Sequence, residues 1–394
     1  MSVMFDAGQA EIDAVAAVIR SGKLFRYGGA SGGVCDRFER RYAMFVGSPH
    51  CGMTSSGSAA LVAGLTGVGV GPGDEVLVPA HTYMATALAV LAVGAIPVVV
   101  DIDEAITLDP EAVRDAIGPS VAAMIPVHMW GLPCDMDPLL AIAADHDLRV
   151  VEDACQGVGG TYHGRGLGSL GDAGAYSFNY YKHITCGEGG AVVARNPRVF
   201  ARARCRIDAC APYWAQGMDH ADANHFAAAG SRASEIEAAM LEVQLDRLPG
   251  WLDTLRQLKR RLTAAARDAG LTPAPVHDPD GDCASYLLLQ ADTPDDADTL
   301  ADRLGGEVLL HTGRHTYTDW APLLAGRGGH HPAMDPYRMP ANRHLRRELR
   351  PDQCPRSLVL VGRTVRLSLH PSMDDAAVDA WIHKMQARPV VAAT

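Results

Sequence analysis

The sequence predicts an α/β protein: a mostly parallel central sheet covered by helices, followed by a smaller C-terminal α/β domain. Three observations carry that prediction. Between residues 58 and 153, short valine-rich runs alternate with helical segments, the pattern of strands buried on both faces. The alternation stops after Arg195, and a new α/β pattern begins beyond Pro249-Gly250. Finally, 394 residues are more than one hydrophobic core ordinarily organises.

Residues 8–21 and 34–46 carry apolar positions at helical spacing. Ser58 to Gly67 reads as a helix ahead of the strand EVLVP (75–79). A helix over 82–93 precedes PVVVD (97–101), and one from Asp109 to Ile117 precedes VAAMIPV (121–127). A helix over 136–146 leads to LRVVED (148–153), and GAYSFN (174–179) with GGAVVA (189–194) form a hairpin-like return. Two amphipathic helices, Ser234 to Leu248 and Trp251 to Ala269, are separated by Pro249-Gly250, since both residues interrupt a helix. The domain boundary is placed there: 1–249 for an N-terminal arm and large domain, 250–394 for the small one. Within the latter, SYLLLQ (285–290), DDADTLADRL (295–304) and EVLL (307–310) continue the α/β pattern. The Gly-, His- and Pro-rich stretch 311–340 reads as loop, and a helix over 374–386 closes the chain.

A formal charge of −11 argues against a general nucleic-acid or anionic-membrane binder. The most apolar stretch, 82–100, is broken by Gly94 and Pro97 and reads as helix plus strand rather than a membrane span. The N-terminus shows no secretory pattern, and the nine cysteines are odd in number, scattered and without a C-x-x-C pair. Reduced thiols in the cytoplasm are therefore expected. His311, His315, His330 and His331 read as sugar-contacting or loop histidines, and no metal is expected.

Only four of the 35 basic residues are lysines: Lys23, Lys182, Lys259 and Lys384. A chain that uses arginine wherever positive charge suffices draws attention to a lysine in a compact, glycine-rich segment. Lys182 is that lysine, in GAYSFNYYKHITCGEGGAVV (174–193), with Lys23 as its one rival. Three other features accompany it. TSSGSAAL (54–61) places Gly57 and Ser58 at a helix N-terminus, which attracts an anion, although by itself it is equally a cap. Tyr83 follows the strand EVLVP, and Asp153 with Gln156 stands at the carboxyl end of LRVVED, where open parallel sheets bind ligands. Together they describe a pyridoxal 5'-phosphate site. Gly57, Ser58 and Ser177 cradle the phosphate, Tyr83 faces the ring, Asp153 keeps the pyridine nitrogen protonated, and the Lys182 amine meets the aldehyde.

The strings SSGSAAL, GPGDEVLVPAHTYMAT, VVEDACQGVGGTYHGRGLGSLGDAGAYSF, KHITCGEGGAVV and RASEIEAAMLEVQLDRL resemble the DegT/StrS-type sugar aminotransferases. These belong to the fold type I, aspartate aminotransferase-like enzymes. The resemblance spans about Phe25 to Glu242 and implies a homodimer with shared active sites. It implies transfer of an amino group from L-glutamate or L-glutamine to a keto-sugar or related cyclic ketone. It also implies Gly57, Ser58 and Ser177 at the phosphate, Tyr83 on the ring, Asp153 at the pyridine nitrogen, Gln156 against the ring, and Lys182 as the covalent anchor. The sequence departs from the family's G-x-N-x-R string: AAGSR (228–232) has Gly230 in place of asparagine and keeps Arg232. The string LFRYGG (24–29) resembles the branch that aminates octulosonate sugars. Substrate candidates are Arg26, His128, Glu188, Arg314 and His315, with Arg26 and Arg314 for the donor carboxylate. A sugar dehydratase of the same fold would have histidine at the lysine position. Lys182 favours transamination over that reading and over a non-catalytic cofactor-binding regulator.

Overall fold

A computed structural model describes residues 7–27, 32–208 and 226–387; the two glycines that end LFRYGG, and Cys210, fall outside the described residues. The large sheet has seven strands: β1 (His50–Thr54), β2 (Glu75–Pro79), β3 (Ile96–Val100), β4 (Val121–Met124), β5 (Arg149–Asp153), and, after a small ribbon of β6 (Thr161–Tyr162) and β7 (Arg165–Gly166), β8 (Ala173–Ser177) and β9 (Gly190–Ala194). Their order is β1-β9-β8-β5-β4-β2-β3. Neighbours from β8 to β3 are parallel, whereas β9 runs antiparallel to both β8 and β1. All strands but β9 therefore end at the same edge.

The valine runs have a direct cause. β2, β3, β8 and β9 are buried along their whole length, so both faces demand apolar side chains. Successive residues go to opposite cores. Val76, Val78, Val151, Ala175 and Val192 join one, with the helix Gly57–Val68, while Leu77, Val150, Tyr176 and Val193 join the other, with the helix Val34–Val46. A third core lies on the small antiparallel sheet of β10 (Thr272–Pro273), β11 (Tyr286–Gln290), β12 (Glu307–Val308) and β13 (Thr364–Ser368), ordered β10-β11-β13-β12.

Several elements depart from the sequence reading. β1, β13, and the helices Pro197–Ile207 and Pro355–Gly362 were not expected. The stretch 311–340 carries short helical turns, including Tyr317–Asp319 and Ala321–Leu324. The two helices expected around Pro249 are one, Glu235–Asp268, with Pro249 inside it. Proline removes one i→i−4 hydrogen bond, yet Leu245, Leu248, Leu252 and Leu255 are buried on either side of it. That burial outweighs the lost bond. The first half of this helix packs in the large-domain core, and Leu255, Leu262 and Ala266 pack in the small one, so a single rod fastens the two sheets.

Among the described residues no helix is long and apolar enough to cross a membrane. No group of three or more His, Cys, Asp or Glu side chains there could hold a metal.

Pro249 is exposed, so Pro249→Ala should restore the missing hydrogen bond without repacking. Thermal unfolding should move upward, by the equivalent of about 1–2 kcal/mol. A lower midpoint would show that the helix depends on proline geometry there.

Candidate active site

The TSSGSAAL turn leaves β1 and enters the helix Gly57–Val68 with Ser56 as its cap, the hydroxyl accepting the Ala59 N–H at 3.1 Å. The first N–H groups of that helix have no acceptor within it and carry its positive end. Gly57 sets this end against β5 and β8. A β-carbon on Gly57 would lie 2.8 Å from Cys155 Sγ and 2.8 Å from the Ser177 β-carbon, so a methyl group would force the three segments apart. Ser58 is exposed on the first turn, and the Ser177 hydroxyl accepts the Asn179 N–H at 3.3 Å.

Asp153 closes β5 and is 5% exposed. Its Oδ2 accepts from Thr86 Oγ1 at 2.7 Å, and its Oδ1 from the Cys155 N–H at 3.1 Å. A buried carboxylate needs such donors to stay ionised. Thr86 lies in the turn that carries Tyr83, whose exposed ring has its centroid 5.9 Å from that of His315.

Lys182 is half-buried in the loop between β8 and β9. Burial lowers the pKa of its amine, while Cys155 and Asp153 act in the opposite direction. The loop is fastened on two sides. Gln244 of the long helix accepts the Thr185 N–H at 2.7 Å and donates to the Thr185 carbonyl at 2.9 Å. His183 Nε2 meets the Ser285 hydroxyl of the small domain. Burial, reinforced by the Lys182 charge, pushes His183 down to about 4, so this imidazole is neutral at pH 7. Glu188 is exposed and accepts from Asn179 Nδ2 at 3.0 Å; it ties the loop's two ends together.

A cluster of aromatic rings surrounds His315. His315 lies among the rings of Trp130 (5.0 Å), Tyr83 (5.9 Å) and His81 (6.4 Å). Burial first, and then the charges of Arg366, Lys182 and Arg314, push its pKa to about 4. Trp130 has a left-handed backbone, φ 58°, held by Gln156 Oε1, which accepts the Trp130 N–H at 3.0 Å. Its indole donates to His81 Nε2 at 3.0 Å. Sequence reasoning missed Thr86, Trp130 and Gln244. The position of Trp130 in PVHMWG, just past a strand end, was the available signal; Gln244 had none.

The structure places two substrate candidates in buried pairs. Arg26 is 5% exposed, with its Nη2 2.6 Å from Glu39 Oε2. Glu39 also accepts from the Met53 N–H at 2.6 Å and from Arg204 at 3.2 Å. Arg26 is thus committed to a buried ion pair that braces β1. His128 is fully buried, its Nε2 3.0 Å from Glu152 and its Nδ1 accepting the Cys134 N–H at 3.2 Å. Neither ring nitrogen is left for a substrate. Arg314 is exposed, with φ 49°, and its carbonyl accepts the Met84 N–H at 3.2 Å, which joins it to the Tyr83 turn. Ser231, next to Gly230, offers its carbonyl to the Ser55 N–H at 2.7 Å, and Arg232 pairs with Asp208 at 3.1 Å.

A lysine, a buried carboxylate and a helix N-terminus gathered where parallel strands end define a fold type I aminotransferase. The sequence profile of the DegT/DnrJ/EryC1/StrS aminotransferase family matches residues 6–316, and the chain belongs to that family. It is 35% identical over 315 residues to a dTDP-3-amino-3,4,6-trideoxy-alpha-D-glucose transaminase of Streptomyces venezuelae, covering 79% of this chain and 80% of the relative. It is 35% identical over 298 residues to an L-glutamine:2-deoxy-scyllo-inosose aminotransferase of Streptoalloteichus tenebrarius, covering 73% and 69%. The crystal structure of 3-amino-5-hydroxybenzoic acid (AHBA) synthase superposes with a TM-score of 0.78 at 26% identity, covering 98% of this chain and 97% of that one.

Arg26→Ala strands Glu39 in a buried site. It should cost about 3 kcal/mol of stability, the low end for a broken buried pair because Arg204 remains. The donor KM of the folded protein should not move; a raised donor KM with unchanged stability would return Arg26 to the substrate set.

Proposed function

We propose that this aminotransferase holds pyridoxal 5'-phosphate on Lys182 and moves an amino group from L-glutamine or L-glutamate to the ketone of a cyclic sugar or cyclitol. The observation that carries this reading is the meeting of the Gly57 turn, Asp153 and Lys182 at one sheet edge. The residues present fit the cofactor. Gly57 lets a helix N-terminus, which attracts an anion, pack directly against β5 and β8; a carboxylate with both oxygens engaged and an amine of lowered pKa lie in the same region. When bound, pyridoxal phosphate supplies an aldehyde carbon and an electron-accepting ring.

In this reading the N–H groups of Gly57 and Ser58 and the Ser177 hydroxyl hold the phosphate. Asp153, hydrogen-bonded by Thr86 and the Cys155 N–H, would hold a proton at the pyridine nitrogen. Tyr83 would cover one face of the ring, and Gln156, its carbonyl oxygen engaged by the Trp130 N–H, would contact it. Lys182 takes the proton from the donor's α-carbon and returns one to the acceptor's, a role that needs a neutral amine near pH 7. Burial moves the pKa of this half-buried lysine in that direction.

The acceptor class is drawn from the relatives, which are named for a trideoxy amino sugar and for a deoxy-scyllo-inosose. Arg314 and His315 lie on the segment whose carbonyls accept the Met84 and Thr82 N–H groups beside Tyr83, and Glu188 on the Lys182 loop; these are our acceptor contacts. A homodimer completes the reading: Ser231 passes beside the Ser55 turn, and Tyr180 and Tyr181, next to Lys182, are exposed. We place the division between a cofactor domain and a small domain near Pro249, and the enzyme in the cytoplasm.

The test supplies purified protein with pyridoxal phosphate, L-glutamine or L-glutamate, and a panel of keto-sugars and keto-cyclitols. The aminated product and the oxo acid should appear in equal amounts. Lys182→Ala should lose roughly 10²–10⁴-fold or more of the rate. Loss of water from a keto-sugar without amino transfer would establish the dehydratase reading instead, and no turnover with any pair would favour a binding protein.

A further inference from the structure

β3 is the outermost strand of the large sheet and has β2 as its one neighbour. In their parallel ladder the Ile96 N–H donates to the Asp74 carbonyl at 3.0 Å, and the Val100 carbonyl accepts the Ala80 N–H at 2.9 Å. The even-numbered residues of β3 therefore direct their backbone groups at β2, and Pro97 and Val99 direct theirs outward. Proteins cover or blunt such an edge. Pro97 has no N–H to expose, and Gln353 Nε2 donates to the Val99 carbonyl at 2.7 Å. The Val99 N–H has no acceptor among the described residues, although Val99 is 3% exposed. A buried N–H left without a partner is rare and costly.

Val99 lines a cavity of about 260 Å³ between β3 and the segment 343–353. That segment reads RHLRRELRPDQ, a basic run in a chain of charge −11 and hence a local attractor for anions. Arg346 is fully engaged. Its Nε and Nη2 hold Glu75 Oε2 at 2.9 and 2.6 Å, and its Nη1 the Ala116 carbonyl at 2.9 Å, which fastens the segment to the sheet. Arg347 and Arg350 line the same cavity and are exposed. Among the described residues, Arg347 gives Nη1 alone to a neighbour, the Tyr337 carbonyl at 2.8 Å, and Arg350 meets only Asp352, at 3.7 Å. Pro97, Leu323 and Tyr337 form an apolar side.

We propose that this cavity is a second ligand site, which takes a phosphoryl group, free or carried by a small monoester. Two guanidinium groups and a backbone N–H call for three accepting oxygens, which a phosphoryl group has and a carboxylate lacks. The cavity is far larger than a bare anion fills, so the apolar side can take the carbon body of a monosaccharide phosphate. Glu348, on the same lining, repels the anion and lowers its affinity. None of the lining residues belongs to the site around Lys182, so occupancy here is independent of the amino-transfer reading.

The test titrates inorganic phosphate, glucose 1-phosphate and glucose by calorimetry into protein already loaded with pyridoxal phosphate, so that the Gly57 cradle is occupied. It also follows hydrogen exchange in the peptide covering residues 97–100. Glucose 1-phosphate should bind, glucose should not, and one further amide, that of Val99, should become protected. Arg347→Gln and Arg350→Gln should each weaken binding about tenfold. Glu348→Gln should act in the opposite direction, tightening it about threefold. Tighter binding of the ester than of inorganic phosphate supports a monoester as the occupant, and equal binding supports the free anion. No binding of either phosphate, binding of glucose alone, or binding that all three variants leave unchanged would overturn the proposal. All three side chains are exposed, and if one variant fails to fold the other two decide.

Discussion

The site depends on a contact that leaves no space for a methyl group. Gly57 starts its helix within 2.8 Å, measured from where a β-carbon would be, of both Cys155 and Ser177. Because of that closeness, a helix N-terminus, the carboxylate that ends β5 and the loop that leaves β8 share one small region. The parallel sheet supplies the rest, since every strand involved ends at the same edge. Gly190 repeats the constraint one strand away: a β-carbon there would fall 2.5 Å from the Ser56 carbonyl oxygen. The glycines of this protein are thus spacing elements at its centre.

Glu152 and Asp153 show how one strand serves structure and chemistry at once. They are adjacent and therefore point to opposite sides. Glu152 faces inward and accepts the N–H groups of Gly168, Leu170 and Gly171 at 2.8, 2.7 and 2.7 Å, with His128 as a fourth partner. It holds the turn that leads into β8. Asp153 faces outward and takes only Thr86 and the Cys155 N–H. A buried polar group satisfied this fully fixes its surroundings, so Asp153 stands on a backbone that its neighbour holds.

Much of this was legible in the sequence, for identifiable reasons. β2, β3, β8 and β9 announce themselves because burial on both faces leaves mostly apolar runs. Lys182 stands out because arginine has replaced lysine almost everywhere else. What escaped is what only tertiary packing decides. Pro249 looks like a break, yet leucines on either side carry the helix through it. Arg26 and His128 look like substrate ligands, yet each is paired with a buried glutamate more than a dozen residues away in sequence. Trp130 and Arg366 meet from segments 236 positions apart, and no spacing rule joins them. β13 was missed because TVRLS puts an arginine where a strand in a core should carry an apolar residue, and that arginine packs on Trp130.

The account rests on Lys182 being the amine that takes the cofactor. The most direct measurement is borohydride reduction of the purified, pyridoxal phosphate-loaded protein, followed by peptide mapping. A single pyridoxyl group on the peptide that contains Lys182 is the result the account predicts. A label on Lys23, or none on any lysine, would contradict it.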